Sequence, residues 1–368
     1  MLLGRERRSS RLRRDIMPIG LKTAFCGAST YIQLPRLLAF MHIFHKGGIV
    51  FRSKEDLFVD ASGIREKQAL ITHAHSDHAK ATLTNTYYMT PQTSALICAQ
   101  ENGLKVNEIP FGKNFNVGDF SCRFHPSGHI LGSAQLEVSN GAHAVLTSDF
   151  KLQKSILFPG AEILPSEILV IETTFGTPQY RFPEREQVYE DMVFWARAAL
   201  KENKFIVFGG YSTGKAQELT KIATEMLGQT PLVYKKIFEQ NRVYESHGVK
   251  LGPYLELNHN LADANILIMP PHLIDDNLIL ALQHQLKRKV SVAIATGWNN
   301  HSKYKTFPLS DHADFSSLMH YVKESAPKLV LTTHGFEDEF ADAVSKKLGI
   351  PARPLSRNGQ SALDDFVG

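Results

Sequence analysis

His73-Ala74-His75-Ser76-Asp77-His78 sets four ligand-capable side chains within six residues, directly after the β-rich run QALIT. In a turn leaving a strand, His73 and His75 point to one side while Asp77 and His78 curl round to a second point, so one segment can feed two metal ions. A lone histidine on an apolar face is usually a packed core residue, but three with a carboxylate in one turn read better as ligands. Further donors sit where the chain can bring them back: His129 in SGHILGSA, Asp149 closing HAVLTSDF, and His334 closing KLVLTTHG. Imidazoles and carboxylates without a thiolate fit a pair of Zn²⁺ ions better than Ca²⁺ or an iron–sulfur cluster, and Mn²⁺ is also accommodated. Two such ions draw the pKa of a shared water towards about 7 and neutralise charge on a phosphoryl group, which is hydrolytic chemistry at neutral pH.

The elements that must carry these groups follow from the patterning. From Gly48 onward short β-rich runs come quickly, namely IVFR, DLFVD, QALIT, SCRFH, AQLEVS, HAVLTS and ILVIE, each ending near a polar or turn residue. They read as two meandering sheets with a helix from Pro91 packed outside. Between about Phe175 and Lys305 the texture changes to longer helices alternating with buried strands: a helix over EQVYEDMVFWARAALKE, the strand KFIVFGG, a helix from Lys215, then the strands ILIMP and VSVAIAT. That is a small α/β unit. A helix after DHADF, the strand KLVLTT and a helix from Glu337 then return to the first domain.

Composition narrows the class. The chain has 368 residues, 43% hydrophobic and 21% charged, which excludes collagen, coiled coil and disorder. Cys26, Cys98 and Cys122 make no C-x-x-C pair and are odd in number, so a disulfide framework is not expected and a reducing, cytoplasmic compartment is. Of the net +4, residues 1–14 alone carry six Arg and one Glu, so the positive balance belongs to one tail. Residues 1–40 read as a disordered or non-native extension with Met41 opening the fold, and no run is apolar enough for a membrane span. Gly209-Gly210-Tyr211-Ser212-Thr213-Gly214-Lys215-Ala216 nearly spells a P-loop, but Ala216 replaces the hydroxyl that would hold Mg²⁺. A tight strand-to-helix turn explains the same residues, as does a phosphate contact by Ser212 and Lys215. Asp311 and Asp314 are expected to shape their turn or cap the helix that follows. His125, His143, His247, His259, His284 and His320 have no motif around them and are left to the core or surface.

Taken together, HAHSDH, His129, Asp149 and His334 resemble the metallo-β-lactamase superfamily, with Asp60 at the end of DLFVD matching its first motif. Glu172 in VIETTFG, His312 in LSDHAD and His334 in TTHG are similar to the three additional motifs of the β-CASP nucleases. PSGHILGSAQLEV, ETTFGTPQYRFP, GYSTGKAQEL and FPLSDHADF look like the DNA ligase-associated exonuclease branch. The resemblance implies an α/β fold: a metallo-β-lactamase αββα sandwich (41–174 plus 306–368) with an inserted small α/β, β-CASP-like cassette (175–305).

It further implies that His73, His75 and His129 hold one zinc, that Asp77, His78 and His334 hold the other, and that Asp149 bridges them. Asp60 would orient a ligand histidine. His312 would protonate the leaving oxygen, with Glu172 orienting its ring, and the loop with Ser212 and Lys215 would meet a substrate phosphate. The implied function is a two-metal exonuclease trimming DNA ends, with a DNA ligase or helicase as partner. RNA processing is the alternative, because RNA-processing members carry histidine where His334 stands and the crosslink-repair DNases usually carry valine. A non-nuclease hydrolase would have no use for the cassette, Glu172 or His312. Transfer-RNA 3′-processing enzymes carry Gly where this chain has Ala81 and lack the cassette.

Overall fold

Strands β1 (His42–His45), β2 (Ile49–Arg52) and β3 (Asp56–Val59) form an antiparallel meander, and β4 (Gln68–Leu70), β5 (Thr86–Met89) and β6 (Lys105–Glu108) then add parallel to one another. Helix α1 (Pro91–Cys98) crosses between β5 and β6, with proline at its first position, where a missing N–H costs nothing. The computed structural model describes residues 41–98, 103–258, 261–298 and 303–355. The expectations for residues 1–40, Cys26 and His259 fall outside them.

A second sheet begins with the antiparallel strands β7 (Asn114–Val117), β8 (Phe120–Pro126), β9 (Ala134–Asn140) and β10 (Ala142–Leu146), to which β11 (Ile168–Thr173) adds in parallel. After α2 (Arg185–Lys201) a third sheet is built from β12 (Phe205–Gly209), β13 (Leu232–Val233), β14 (Leu255–Glu256), β15 (Ile266–Met269), β16 (Val290–Ala295) and β17 (Lys305–Phe307). All its pairings are parallel, in the order β14-β13-β15-β12-β16-β17. Helices α3 (Lys215–Lys221), α4 (Lys235–Ser246) and α5 (Asp276–Leu286) provide crossovers. Because helices cover both faces, β12 and β15 are buried at every position, which is why FIVFG and ILIM read as unbroken apolar runs. The chain then returns through α6 (Phe315–Ser325), β18 (Leu329–Gly335), α7 (Glu337–Leu348) and β19 (Ala352–Pro354), which complete the second sheet beside β11.

Period-two alternation assembles four layers. Ile43, Phe51, Leu57 and Leu70 of the first sheet pack against Phe124, Leu136, Leu146, Val170 and Leu331 of the second. The opposite face of the first sheet meets Ile97 of α1, and the opposite face of the second meets Leu318 and Tyr321 of α6 and Phe340 of α7. The result is the expected αββα sandwich. The expected meanders are corrected in one respect: β3 to β6, and β10 with β11, β18 and β19, run parallel. Parallel strands end on the same edge, and this brings residues distant in the chain to one place. Cys122 lies inside the sandwich, where burial pushes its thiol up to about 12.

Candidate metal centre

Asp60 and His73 follow β3 and β4, and Asp149 follows β10, while Glu172 and His334 occupy the C-terminal ends of β11 and β18. His129 comes from the β8–β9 turn and His312 from the turn before α6. Donor atoms of His73, His75, His129 and Asp149 all lie within 4.8 Å of one another. Asp149 Oδ2 is 3.4 Å from His73 Nε2, 3.6 Å from His129 Nε2 and 3.6 Å from His78 Nε2, so one carboxylate oxygen faces three imidazoles.

Each of the four imidazoles has one nitrogen committed elsewhere. His129 Nδ1 lies 2.8 Å from the Asp311 carbonyl, His75 Nε2 3.2 Å from the Thr213 carbonyl, and His78 Nδ1 2.8 Å from Asp60 Oδ2. These oxygens can only accept, so the named nitrogens donate. Thr72 Oγ1 reaches Asp60 Oδ2 at 2.6 Å and can only donate to it, which leaves its lone pair to accept from His73 Nδ1 at 3.1 Å. The opposite nitrogens, His73 Nε2, His75 Nδ1, His78 Nε2 and His129 Nε2, therefore face inward, as lone pairs on His73, His75 and His129 and as a position that His78 frees on losing its proton.

This arrangement fits a cation. His73 Nε2 and His78 Nε2 are buried with no hydrogen-bond partner, and His129 Nε2 faces His75 Nδ1 at 3.0 Å, lone pair against lone pair. Ligands of a tetrahedral zinc with Zn–N near 2.0–2.1 Å stand about 3.3 Å apart, close to these spacings. Burial and the neighbouring His73 push His75 down to about 4, while burial and the nearby His312 hold His129 well below its ordinary range, so both are neutral at pH 7. His78 behaves oppositely. Burial opposes its charge, but Asp149, Asp60 and Asp77 raise it to about 10.

The remaining expected donors form a more open side. Asp77 is 71% exposed with Oδ2 at 3.8 Å from His78 Nε2, and the exposed His334 ring stacks on His78 at 5.1 Å between centroids. Asp60, Ser148 and His334 all adopt positive φ, a costly conformation for residues other than glycine, and all three adjoin this centre. Thr173 Oγ1 donates to the His334 carbonyl at 2.6 Å beside the irregularity between Glu172 and Thr173 in the β11–β18 pairing.

His312 stands next to this set, its ring 4.7 Å from that of His129. Its Nδ1 donates to Glu172 Oε1 at 3.0 Å. Glu172 is fully buried and also accepts from the backbone N–H groups of Phe150 and Thr174. Burial works against charge on His312, but Glu172 and Asp149 raise its pKa, and Nε2 is left free of that bond.

Sequence reading missed Asp311. The helix cap is Asp314, whose Oδ1 accepts from Ser317 N at 2.8 Å. The Asp311 carboxylate instead meets Lys215 Nζ at 3.0 Å, Arg185 at 3.3 Å and Lys151 Nζ at 3.4 Å, all buried. Glu218 shares Arg185. Lys215, expected at a substrate phosphate, is thus 5% exposed and ion-paired at the cleft wall, and Ser212 lines the same cleft. Gly214 keeps this packing possible: at φ +97, a Cβ there would lie 2.6 Å from Ile130 Cγ2. The cleft has a volume of about 560 Å³, and its floor carries His75, Asp77, His78, Asp149, His312 and His334. His125 and His143, left unassigned, both bond Glu137 at 2.9 Å.

Residues 301–353 match the family described as Zn-dependent metallo-hydrolase RNA specificity domain. A probable DNA ligase from Opitutus terrae is 32% identical over 311 residues, covering 81% of this chain and 30% of the relative. The transcription termination factor FttA from Lokiarchaeum is 28% identical, over 46% of this chain and 32% of the relative. The chain thus spans about a third of the length of these relatives. A crystal structure of a protein of unknown function from Enterococcus faecalis superposes with a TM-score of 0.58 at 15% identity, covering 88% of this chain and all of that one, a likeness of fold. The chain belongs to the β-CASP group of the metallo-β-lactamase superfamily. Among the described residues, no helix is long and apolar enough to cross a membrane.

Proposed function

We propose that this chain is a two-metal phosphodiesterase, an exonuclease that trims DNA ends. The observation that carries this reading is the placement of His312, its Nδ1 held by the buried Glu172 carboxylate, beside an inward-facing set of imidazole lone pairs. His73, His75 and His129 would hold one zinc, and Asp77, His78 and His334 the other, with Asp149 shared between them. When bound, the metals supply an activated water and neutralise charge on the phosphoryl group.

The protein's own groups supply the rest. Asp60 and the Asp311 and Thr213 carbonyls keep the imidazoles in one tautomer. His312 Nε2 gives its proton to the leaving oxygen, while Glu172 holds the ring and stabilises the charged form. Ser212 on the cleft wall steadies a neighbouring phosphate, and Lys215, its ammonium paired with Asp311, holds the turn that presents it. The segments 41–174 and 306–368 form the domain carrying the metals, and 175–305 is an inserted cassette that makes the opposite wall of the cleft. A DNA ligase or helicase is the proposed partner in the cytoplasm, consistent with the ligase among the relatives.

A second reading, RNA processing, is favoured by His334 and by the RNA specificity description matched by residues 301–353. Single- and double-stranded DNA and RNA, labelled at either end and digested with zinc or manganese, decide between them. Stepwise shortening of DNA supports the first reading, cleavage of RNA alone selects the second, and no cleavage of any strand removes both.

A further inference from the structure

Among the described residues, the large hydrophobic side chains most exposed to solvent are Leu83, Phe194, Tyr211, Leu280 and Trp298, and two of these, Tyr211 and Trp298, line the cleft over the metal centre. Burial of such rings is normally favourable, so their exposure calls for something to cover them. Trp298 is 37% exposed yet held on its flank: Phe175 packs at 4.8 Å and Tyr180 at 5.7 Å between centroids. Gly297 allows this approach, since a Cβ there would sit 2.7 Å from Phe175 Cζ. Tyr211 is 57% exposed, with Lys215 Nζ 5.2 Å from its ring centroid. Lys236 and His272 stand exposed on the same cleft.

Fixed aromatic rings interleaved with cations match one ligand chemistry well, flat bases strung on a phosphate backbone. In a duplex those base faces are already stacked on one another. We infer that Trp298 and Tyr211 are stacking platforms for unpaired bases and make the cleft selective for single-stranded nucleic acid. The inference rests on the proposed reading, in that the strand lies in the same cleft. Each stacked base is worth about 5- to 150-fold in affinity.

The chain has two tryptophans, and Trp195 packs between Phe208 and Phe307, so Trp195→Phe leaves Trp298 as the sole indole reporter. Zinc-loaded protein carrying this change is titrated with cleavage-resistant phosphorothioate strands: a mixed-sequence single strand of DNA, its RNA counterpart, a duplex, and an abasic strand of equal length and charge. The expected result is quenching of Trp298 by the base-bearing single strands, with affinity at least about 5-fold above that for the abasic strand and the duplex. The preference of DNA over RNA, or the reverse, reports which strand occupies the platform. With affinity read by anisotropy of end-labelled strands, because these variants lack the indole reporter, Trp298→Ala is expected to erase the advantage over the abasic strand and Trp298→Phe to retain it. Equal binding of base-bearing and abasic strands, or binding without quenching, overturns the platform. Because the strand comparison needs no change at Trp298, the result does not depend on whether the alanine variant folds. Wild-type protein is assayed alongside on bis-p-nitrophenyl phosphate. Turnover there with base-independent binding removes the platform alone, whereas base-dependent quenching without turnover supports the platform and removes the phosphodiesterase reading.

Discussion

Asp311 is tied to His129 through its backbone and to Lys215 through its side chain: its carbonyl accepts from His129 Nδ1 at 2.8 Å while its carboxylate lies 3.0 Å from Lys215 Nζ. One residue thus aims an imidazole at the centre and anchors the strand-to-helix turn that forms the facing wall. Lys151 and Arg185 complete its surroundings, and together these cations hold the carboxyl well below the usual range against the upward push of burial.

Asp311→Asn leaves Lys151, Lys215 and Arg185 buried with Glu218 as their remaining acid partner in the cluster. Uncompensated buried charge of this kind costs about 3–5 kcal/mol. The expected outcome is a large fall in unfolding free energy by denaturant titration, against about 1–2 kcal/mol for Asp314→Ala, which removes a helix cap. Equal losses would mean that the charge cluster contributes nothing beyond a turn.

Metal content should separate ligands from the proton donor. His129→Ala and Asp149→Ala each remove a donor from the buried set, and His78→Ala removes the imidazole facing Asp77 and His334. All three are expected to lower bound zinc, measured by plasma mass spectrometry after dialysis, and to abolish diester hydrolysis. His312→Ala should keep the full complement while turnover slows by about 10²-fold or more. Loss of metal from the His312 variant would reassign that residue.

Metal uptake should release protons. With Asp149, Asp60 and Asp77 raising His78 to about 10 in the metal-free protein, its imidazole is charged at pH 7 and must lose that proton to coordinate. Its charged form stabilises the metal-free fold fully below the unfolded value near 6.5, and this contribution is lost as pH rises through about 10. Zinc titration calorimetry in buffers of different ionisation enthalpy is expected to show proton release at pH 7 that fades above pH 10, and His78→Gln should lack it. Buffer-independent heats would contradict the assignment.

Glu172→Gln tests the proton donor without removing it. The glutamine keeps the shape but drops the charge that raises His312, so the His312 pKa falls. Since His312 must be protonated to act, the alkaline limb of the rate profile is expected to move to lower pH, with turnover down by about 10- to 10²-fold and zinc unchanged. An unshifted limb would show that His312 does not govern it.

Much of this candidate centre was legible because several of its donor side chains are local. HAHSDH puts donors on one turn, and the strand patterns place Asp60, Asp149, Glu172 and His334 at strand ends, where the fold has them. Asp311 was not legible, because its partners Lys151, Arg185 and Lys215 lie 160, 126 and 96 residues away and no local pattern marks them. The parallel pairing of β3 to β6 was hidden for a related reason: alternation tells which residues face inward but not in which direction a neighbouring strand runs.

Sequence by itself determined which residues could serve and roughly where each strand would end, since side-chain chemistry and hydrophobic period are properties of short segments. Tertiary structure alone decided which nitrogen of each imidazole turns inward, for that depends on acceptors such as the Thr213 and Asp311 carbonyls, 138 and 182 residues from the rings they bind. It also decided that Trp298 and Tyr211 share one cleft, because packing, rather than any local preference, brings distant loops to a common wall.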